Sequence, residues 1–323
     1  IFGKKIKFQT TDLTMSTATE GELFYSNTDA KFKVGVVVEA WASGGNLGTG
    51  RYVLAGAGTQ TAGLTFGGAN SPVTAYNAQT EEYDGSSWTE SGDLTARRSL
   101  ASAGTQTAAL AFGGGLGFGP NFSISVSSEE YNGASWTAGG DLATGRHSLG
   151  GTGTQTAGLA FGGHAGIPPT TTSNSEEYDG SSWTEGDNLN TARHYVAGCG
   201  LQTAALAMGG SLPPYTGATE EYDGSSWTNG GSFNTTRGYG AGCGIQTAAL
   251  FFAGGPGYLT ATEAYDGTSW STKPSLATGR YATAGAGTQA AGLAIGGRVS
   301  GGAVTAATEE FAQTVTLKTV TDS

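Results

Sequence analysis

Apolar positions in this chain come in short runs separated by short polar turns, and nowhere do they recur at helical spacing. A representative stretch starts at Arg51, passes through the small residues Ala55-Gly56-Ala57, and turns at Gly58-Thr59-Gln60. The apolar run Ala62 to Phe66 follows and closes on Gly67-Gly68. A polar stretch then leads to Glu82-Tyr83, Asp84-Gly85 and Trp88. Asp-Gly suits a two-residue hairpin turn, because positive φ costs little there. The pattern predicts four short strands: an inner one over 52–57, a second over 62–66, a third centred on Glu82 and Tyr83, and an outer one beginning near Trp88. The inner strand lacks large side chains, as expected of a strand crowded near a central axis.

The same order of residues recurs six times. The tryptophans stand at Trp41, Trp88, Trp136, Trp183, Trp227 and Trp270, about 43 to 48 residues apart. Each is followed nine or ten residues later by an arginine: Arg51, Arg97, Arg146, Arg193, Arg237 and Arg280. Then come Gln60, Gln106, Gln155, Gln202, Gln246 and Gln289 in the first turn, and a double glycine after every second strand. The third strands carry Glu82-Tyr83, Glu130-Tyr131, Glu177-Tyr178, Glu221-Tyr222, Ala264-Tyr265 and Glu310-Phe311. A period near 45 residues implies a propeller, solenoid or array. Trp41 has no preceding Tyr-Asp-Gly element, and Phe311 has no tryptophan after it. The expectation is that residues 37–43 supply the missing outer strand of the last unit, beside Thr308 to Val315, which removes a free sheet edge.

Double glycine closing a strand, then tyrosine, then tryptophan about five residues on, resembles the kelch repeat. The resemblance covers residues 37–316 and implies an all-β, six-bladed kelch-type β-propeller with four-stranded antiparallel blades. The blades fall at about 51–90, 97–138, 146–185, 193–229, 237–272 and 280–316. Residues 1–36 lie outside the repeats as an N-terminal docking arm, and 317–323 as a C-terminal tail. Within the arm, Leu23, Tyr25, Asn27-Thr28-Asp29 and Phe32 read as a small hairpin. The segment Glu20-Gly21-Glu22-Leu23-Phe24-Tyr25 through Lys33 resembles short segments of bacteriophage tail and fibre proteins. The repeat wording, Gly-Thr-Gln-Thr-Ala then Glu-Glu-Tyr-Asp-Gly-Ser-Ser-Trp, resembles kelch-like virion proteins of marine phages.

Composition narrows the chemistry. Of 323 residues, 57 are glycine and 13 % are charged, against roughly 25 % charged in ordinary domains. The formal charge of −11 disfavours a phosphate backbone as partner, so no nucleic acid is expected. No apolar stretch approaches the ~18 residues of a spanning helix, so no membrane insertion is expected. Lys4, Lys5 and Lys7 make one basic end, suited either to docking an acidic partner or to plain solvation.

Catalytic signatures are lacking. The three histidines, His147, His164 and His194, form no metal-ligand spacing, and His164 has no evident partner. Cys199 and Cys243 occupy equivalent inner-strand positions and read as small residues near the axis. No cofactor, no metal and no catalytic residue is expected. The tryptophans and arginines read as structural anchors, with the arginines and third-strand acids pairing between blades or with backbone. The loops after the double glycines vary in length and content, whereas the turns at the opposite ends of the strands are nearly identical. Variation on a rigid scaffold is how recognition surfaces arise. Tyr76, Phe118, Phe122, His164, Tyr215 and Tyr258 are therefore the candidate binding residues.

The expectation is a non-enzymatic bacteriophage virion protein (tail, fibre or other external component) present in multiple copies. It would join other virion proteins through residues 1–36. Its loop face would meet a host-surface glycan, an outer-membrane protein or a neighbouring subunit. Three readings stay open beside it: a kelch-type protein–protein interaction module, a filament or surface-layer subunit, and a glycan-active propeller enzyme.

Overall fold

The computed structural model describes residues 7–8, 23–26, 30–70, 76–96, 99–116, 123–212 and 214–320. By internal contacts the chain divides into two compact units, Trp41–Glu310 and Ile1–Ala40 with Phe311–Ser323.

The larger unit is built of four-stranded antiparallel sheets, an arrangement compatible with a β-propeller. The first sheet runs Ala55–Thr59, Ala62–Phe66, Thr80–Tyr83 and Trp88–Ser91 in chain order. The second, third, fourth and fifth repeats build equivalent sheets, their second strands being Ala109–Leu116, Gly158–Phe161, Ala204–Met208 and Ala248–Phe252. In the sixth, Ala284–Gly287 and Ala291–Ile295 are followed by residues 308–310. Residues 41–43 lie on their far side, and the Gly44 N–H donates to Thr308 O at 3.0 Å.

Second strands are buried on both faces, which is why they read as unbroken apolar runs rather than alternating ones. The core lies between sheets. Leu64 and Phe66 of the first pack with Leu94 and with Ala109, Ala111, Tyr131 and Trp136 of the second. The inner strands approach so closely that a Cβ on Gly198 would sit 2.6 Å from Gly151 O of the preceding repeat. That approach accounts for the small, Gly-rich sequence there. At the ends of the second strands two successive residues take positive φ, as at Gly162 (61°) and Gly163 (98°), and in the fifth repeat at Ala253 (63°) and Gly254 (104°).

Each repeated side chain has one repeated role. The tryptophan indole reaches one sheet back: Trp136 Nε1 donates to Thr80 Oγ1 at 2.9 Å, and Trp183 to Ser128 Oγ at 2.9 Å. Trp41 does the same to Thr262 at 3.1 Å, and Trp88 to Thr308 at 3.0 Å. The glutamine amide also reaches back, Gln155 Nε2 donating to Ala109 O and Tyr131 O. Gln60 of the first repeat donates to Gly292 O of the sixth at 3.0 Å.

Of the two expected pairings, between blades or with backbone, the arginines make the one with backbone, and their ion pairs fall within a repeat rather than between blades. Arg51, Arg146, Arg193, Arg237 and Arg280 are fully buried and pair within their own repeats. Their partners are Glu81, Glu176, Glu220, Glu263 and Glu309, one position ahead of the acids singled out in the sequence. Arg146 Nη1 also donates to Gly162 O and Asn174 O, so one guanidinium ties the inner strand to the end of the second and the start of the third. Arg97 lies outside the described residues. The acids singled out in the sequence instead accept from the next repeat's tyrosine: Tyr131 Oη to Glu82, Tyr178 to Glu130, Tyr222 to Glu177 and Tyr265 to Glu221, at 2.5–2.6 Å.

In the smaller unit, Leu23–Ser26 pairs antiparallel with residues 31–34, and Lys7–Phe8 pairs parallel with Phe24 and Tyr25. Tyr25 and Phe32 meet edge-on at 5.2 Å. Thr314 and Thr316 hydroxyls donate to Val38 O and Val36 O, and the Val320 N–H to Phe32 O. Residues 317–319, expected in a tail, are therefore strand, and Leu23–Ser26 extends the sheet beside residues 31–34.

Candidate binding site on the loop-bearing face

The face after the double glycines is organised by a second, smaller set of pairings. In the first, third, fourth and sixth repeats the residue following the arginine pairs with the residue following Gly-Gly, and that residue pairs with the loop beyond; in the fifth, Gly238 bridges Gly255. Tyr52 bridges Ala69, which bridges Tyr76. His147 pairs with His164, which pairs with Thr171. His194 bridges Ser211, which bridges Tyr215. Residues far apart in sequence are thus set side by side in these repeats.

The next position along is backbone-strained. Val53, Ser148, Tyr195, Tyr239 and Ala282, each two residues after its arginine, have φ between 48° and 58°. Non-glycine residues take this left-handed region rarely, and for a β-branched one such as Val53 it is a true outlier. What the conformation achieves is a chain of backbone bonds from repeat to repeat. Tyr195 N–H donates to Ser148 O, Tyr239 to Tyr195, Ala282 to Tyr239, and Val53 to Ala282, at 2.7–3.2 Å. The side chains at these positions are held by their backbones at fixed places on the face.

Together the two devices assemble a continuous aromatic arc across the third to sixth repeats. His147 and His164 meet edge-on at 5.2 Å, and His164 stacks on His194 at 3.7 Å. His194 touches Tyr195 at 4.5 Å, and Tyr195 stacks on Tyr239 at 3.4 Å. Tyr239 meets Tyr281 edge-on at 5.6 Å and Tyr215 at 6.5 Å, and Tyr281 meets Tyr258 at 5.3 Å. The far end of the arc opens into a cup of about 300 Å³ lined by Tyr215, Tyr239, Tyr258, Tyr281, Gly255 and Gly257.

Burial favours the neutral form of the imidazoles in the arc. Burial, with the neighbouring His164, pushes His147 down to about 4. Burial and both other imidazoles do the same to His194, and burial lowers His164. Burial raises the phenols of Tyr215 and Tyr239, and takes Tyr76 up to about 12. Arg298 adds a cation over the Tyr52 ring at 5.2 Å. Such a surface offers ring faces and hydroxyl groups to a ligand, with a positive charge beside Tyr52.

Of the residues singled out in the sequence, Tyr215 and Tyr258 line the cup, and His164 sits in the arc between two histidines it was not expected to meet. Tyr76 lies beside Tyr52 through the Ala69 bridge. Phe118 and Phe122 fall outside the described residues. Sequence reading missed Tyr195, Tyr239 and Tyr281, which it treated as inner-strand positions. A signal existed: one and two residues after each arginine the repeat changes freely, from Tyr-Val to His-Ser, His-Tyr, Gly-Tyr and Tyr-Ala, while its surroundings stay nearly constant.

A second cavity, of about 240 Å³, lies between the six inner strands and is lined by small residues and by Cys199 and Cys243. Both thiols are buried and free, and burial raises them above the usual thiol range, so neither is a reactive thiolate at neutral pH. Among the described residues no group of three or more His, Cys, Asp or Glu is placed to hold a metal. No family model and no curated protein matches this chain.

Proposed function

We propose that this chain is a non-enzymatic structural protein of a bacteriophage virion that presents its aromatic loop face to a host surface or a neighbouring subunit. On this reading the six sheets form a closed, six-bladed kelch-type propeller, with residues 37–43 completing the last blade. The Trp88 bond to Thr308 and the Gln60 bond to Gly292 support closure, because each repeats between the first and last units what the other repeats do internally, and Trp41 bonds Thr262 of the fifth repeat as an outer strand of the sixth would. Residues 1–36 attach the propeller to other virion proteins, and no cofactor takes part.

The observation that carries the binding role is the aromatic arc. Stacked rings from three repeats, two of them on strained backbone, are costly to place together and belong to none of the cores between sheets. The cup contains no carboxylate, which favours binding over hydrolysis. Many copies on one particle convert weak single contacts into firm attachment. The test is density-gradient fractionation of the native source with mass spectrometry across fractions. Co-migration with DNA-containing particles at fixed stoichiometry is expected; recovery only as free protein sinks the virion reading.

A further inference from the structure

We infer that the cup between Tyr215, Tyr239, Tyr258 and Tyr281 is a subsite for one uncharged pyranose ring of a glycan. The inference rests on the loop-bearing face being a binding face, and not on where the protein resides.

Size comes first. At about 300 Å³ the cup is at the small end of ligand pockets, with the volume of about ten waters. That is room for a single six-membered ring. Shape follows from the rings. Tyr239 and Tyr281 are near-perpendicular (76°), and Tyr258 is tilted 43° to Tyr281, so the aromatic faces form a concave corner rather than a flat wall. Tyr239 is braced from behind by its stack on Tyr195, so the corner exists before a ligand arrives. Two glycines complete the lining: a Cβ on Gly255 would lie 3.6 Å from Tyr215 Oη, in ordinary contact with that wall, and one on Gly257 would meet nothing within 4 Å.

Chemistry selects the ligand. A pyranose has an apolar C–H face and a rim of hydroxyls. Aromatic walls satisfy the first, and the phenolic hydroxyls of Tyr215, Tyr258 and Tyr281 satisfy the second, that of Tyr239 being bonded to Tyr195. The lining holds no cation for a sialic or uronic acid and no anion for an amino sugar. A proline-rich strand is gripped by a row of aromatic slots along a groove; here the rings surround one cup.

The test is saturation-transfer NMR on the intact chain. The probes are the methyl α-pyranosides of glucose, galactose and mannose, and methyl N-acetylglucosaminide. Glucuronic acid, N-acetylneuraminic acid and a proline-rich peptide serve as comparators. At least one neutral glycoside is expected to receive saturation, strongest on the C–H protons of one ring face. Tyr258→Ala should weaken it by about tenfold, the loss of one stacking wall. Tyr258→Phe, which keeps the ring, should stay within about twofold of the unaltered chain. Leu201→Ala, at an exposed turn on the opposite end of the strands, should leave binding unchanged. An unchanged urea midpoint by tryptophan fluorescence certifies that each variant is folded. The inference is overturned if no neutral glycoside binds, if the signal survives Tyr258→Ala, or if only a charged sugar or the peptide binds. Glycoside binding by a protein absent from particles would remove the virion reading and leave the subsite standing. Co-migration without glycoside binding would do the reverse.

Discussion

Tyr131 donates its phenolic proton to Glu82 of the preceding repeat across 2.6 Å. The relationship recurs at Tyr178, Tyr222 and Tyr265, and between Tyr83 and Glu310. One repeat has Ala264 where the others have the glutamate, and the repeat after it has Phe311 where the others have the tyrosine. Donor and acceptor are dropped together, as expected when a buried polar group without its partner costs more than the pair contributes. Tyr131→Phe should lower unfolding free energy by ~1–2 kcal/mol, at the low end for a bond to a charged acceptor because the pair is part-exposed. The double variant Glu82→Ala with Tyr131→Phe copies the natural Ala264 and Phe311 combination and should cost clearly less than the sum of the singles. Urea unfolding followed by tryptophan fluorescence measures all three, and strict additivity would refute the coupling.

The same tyrosines set an alkaline limit. Burial and the hydrogen-bonded glutamate push Tyr83, Tyr131, Tyr178 and Tyr265 up to about 12. The unfolded chain releases these protons near 10, so the folded state binds more protons between the two values. Their contribution is whole below pH 10 and disappears as pH rises toward 12. Melting temperatures taken across that window should fall steeply, and less steeply in Tyr131→Phe.

On the acid side the order is reversed. His147 and His194 titrate at about 4 in the folded chain against 6.5 unfolded. Unfolding therefore takes up protons in that interval, and stability present above pH 6.5 is lost toward pH 4. Asp84 and Asp179, held at about 2 by hydrogen bonds from Ser86 and Ser87 and from Ser181 and Ser182, extend the loss below 3.8. His194→Gln should flatten only the upper part of the curve, which urea midpoints at pH 7, 5.5 and 4 will reveal.

Arg146 and Glu176 are both buried, and each also holds backbone: Arg146 donates to Gly162 O and Asn174 O, and Glu176 accepts from the Ala143 N–H. Arg146→Met leaves a buried carboxylate unbalanced and should cost about 3–5 kcal/mol. Adding Glu176→Leu should restore only part, because the freed carbonyls and the Ala143 N–H stay unsatisfied. Full recovery in chemical denaturation would show that the backbone bonds contribute nothing.

Trp41 tests the proposed closure. It bonds Thr262 and packs edge-on against Phe252 at 5.1 Å, as Trp183 bonds Ser128 and packs on Phe112 at 4.9 Å. Trp41→Phe should therefore cost ~1 kcal/mol, the same as Trp183→Phe within error. A negligible loss at Trp41 alone would mean that residues 41–43 are not an integral outer strand.

Much of this architecture was legible because it is repeated. Strand number, turn chemistry, the crowded inner strands and the tryptophan anchors each rest on local rules that six near-copies state again and again. The partner of each arginine was not legible: Glu81 and Glu82 are adjacent and alike in sequence, and only the pleat decides that one faces its own guanidinium and the other the next repeat's tyrosine. The place of residues 317–319 was hidden too, since a strand that borrows its partner from the other end of the chain carries no local mark.

The binding face divides the same way. The amino-acid sequence alone determined that variation is confined to one end of the repeat and that aromatic residues gather there. Only the tertiary structure decided which aromatics meet. Tyr195 and Tyr239 belong to different repeats, 44 residues apart. They stack because left-handed backbone at both positions links neighbouring repeats by hydrogen bonds and aims the two rings at one another.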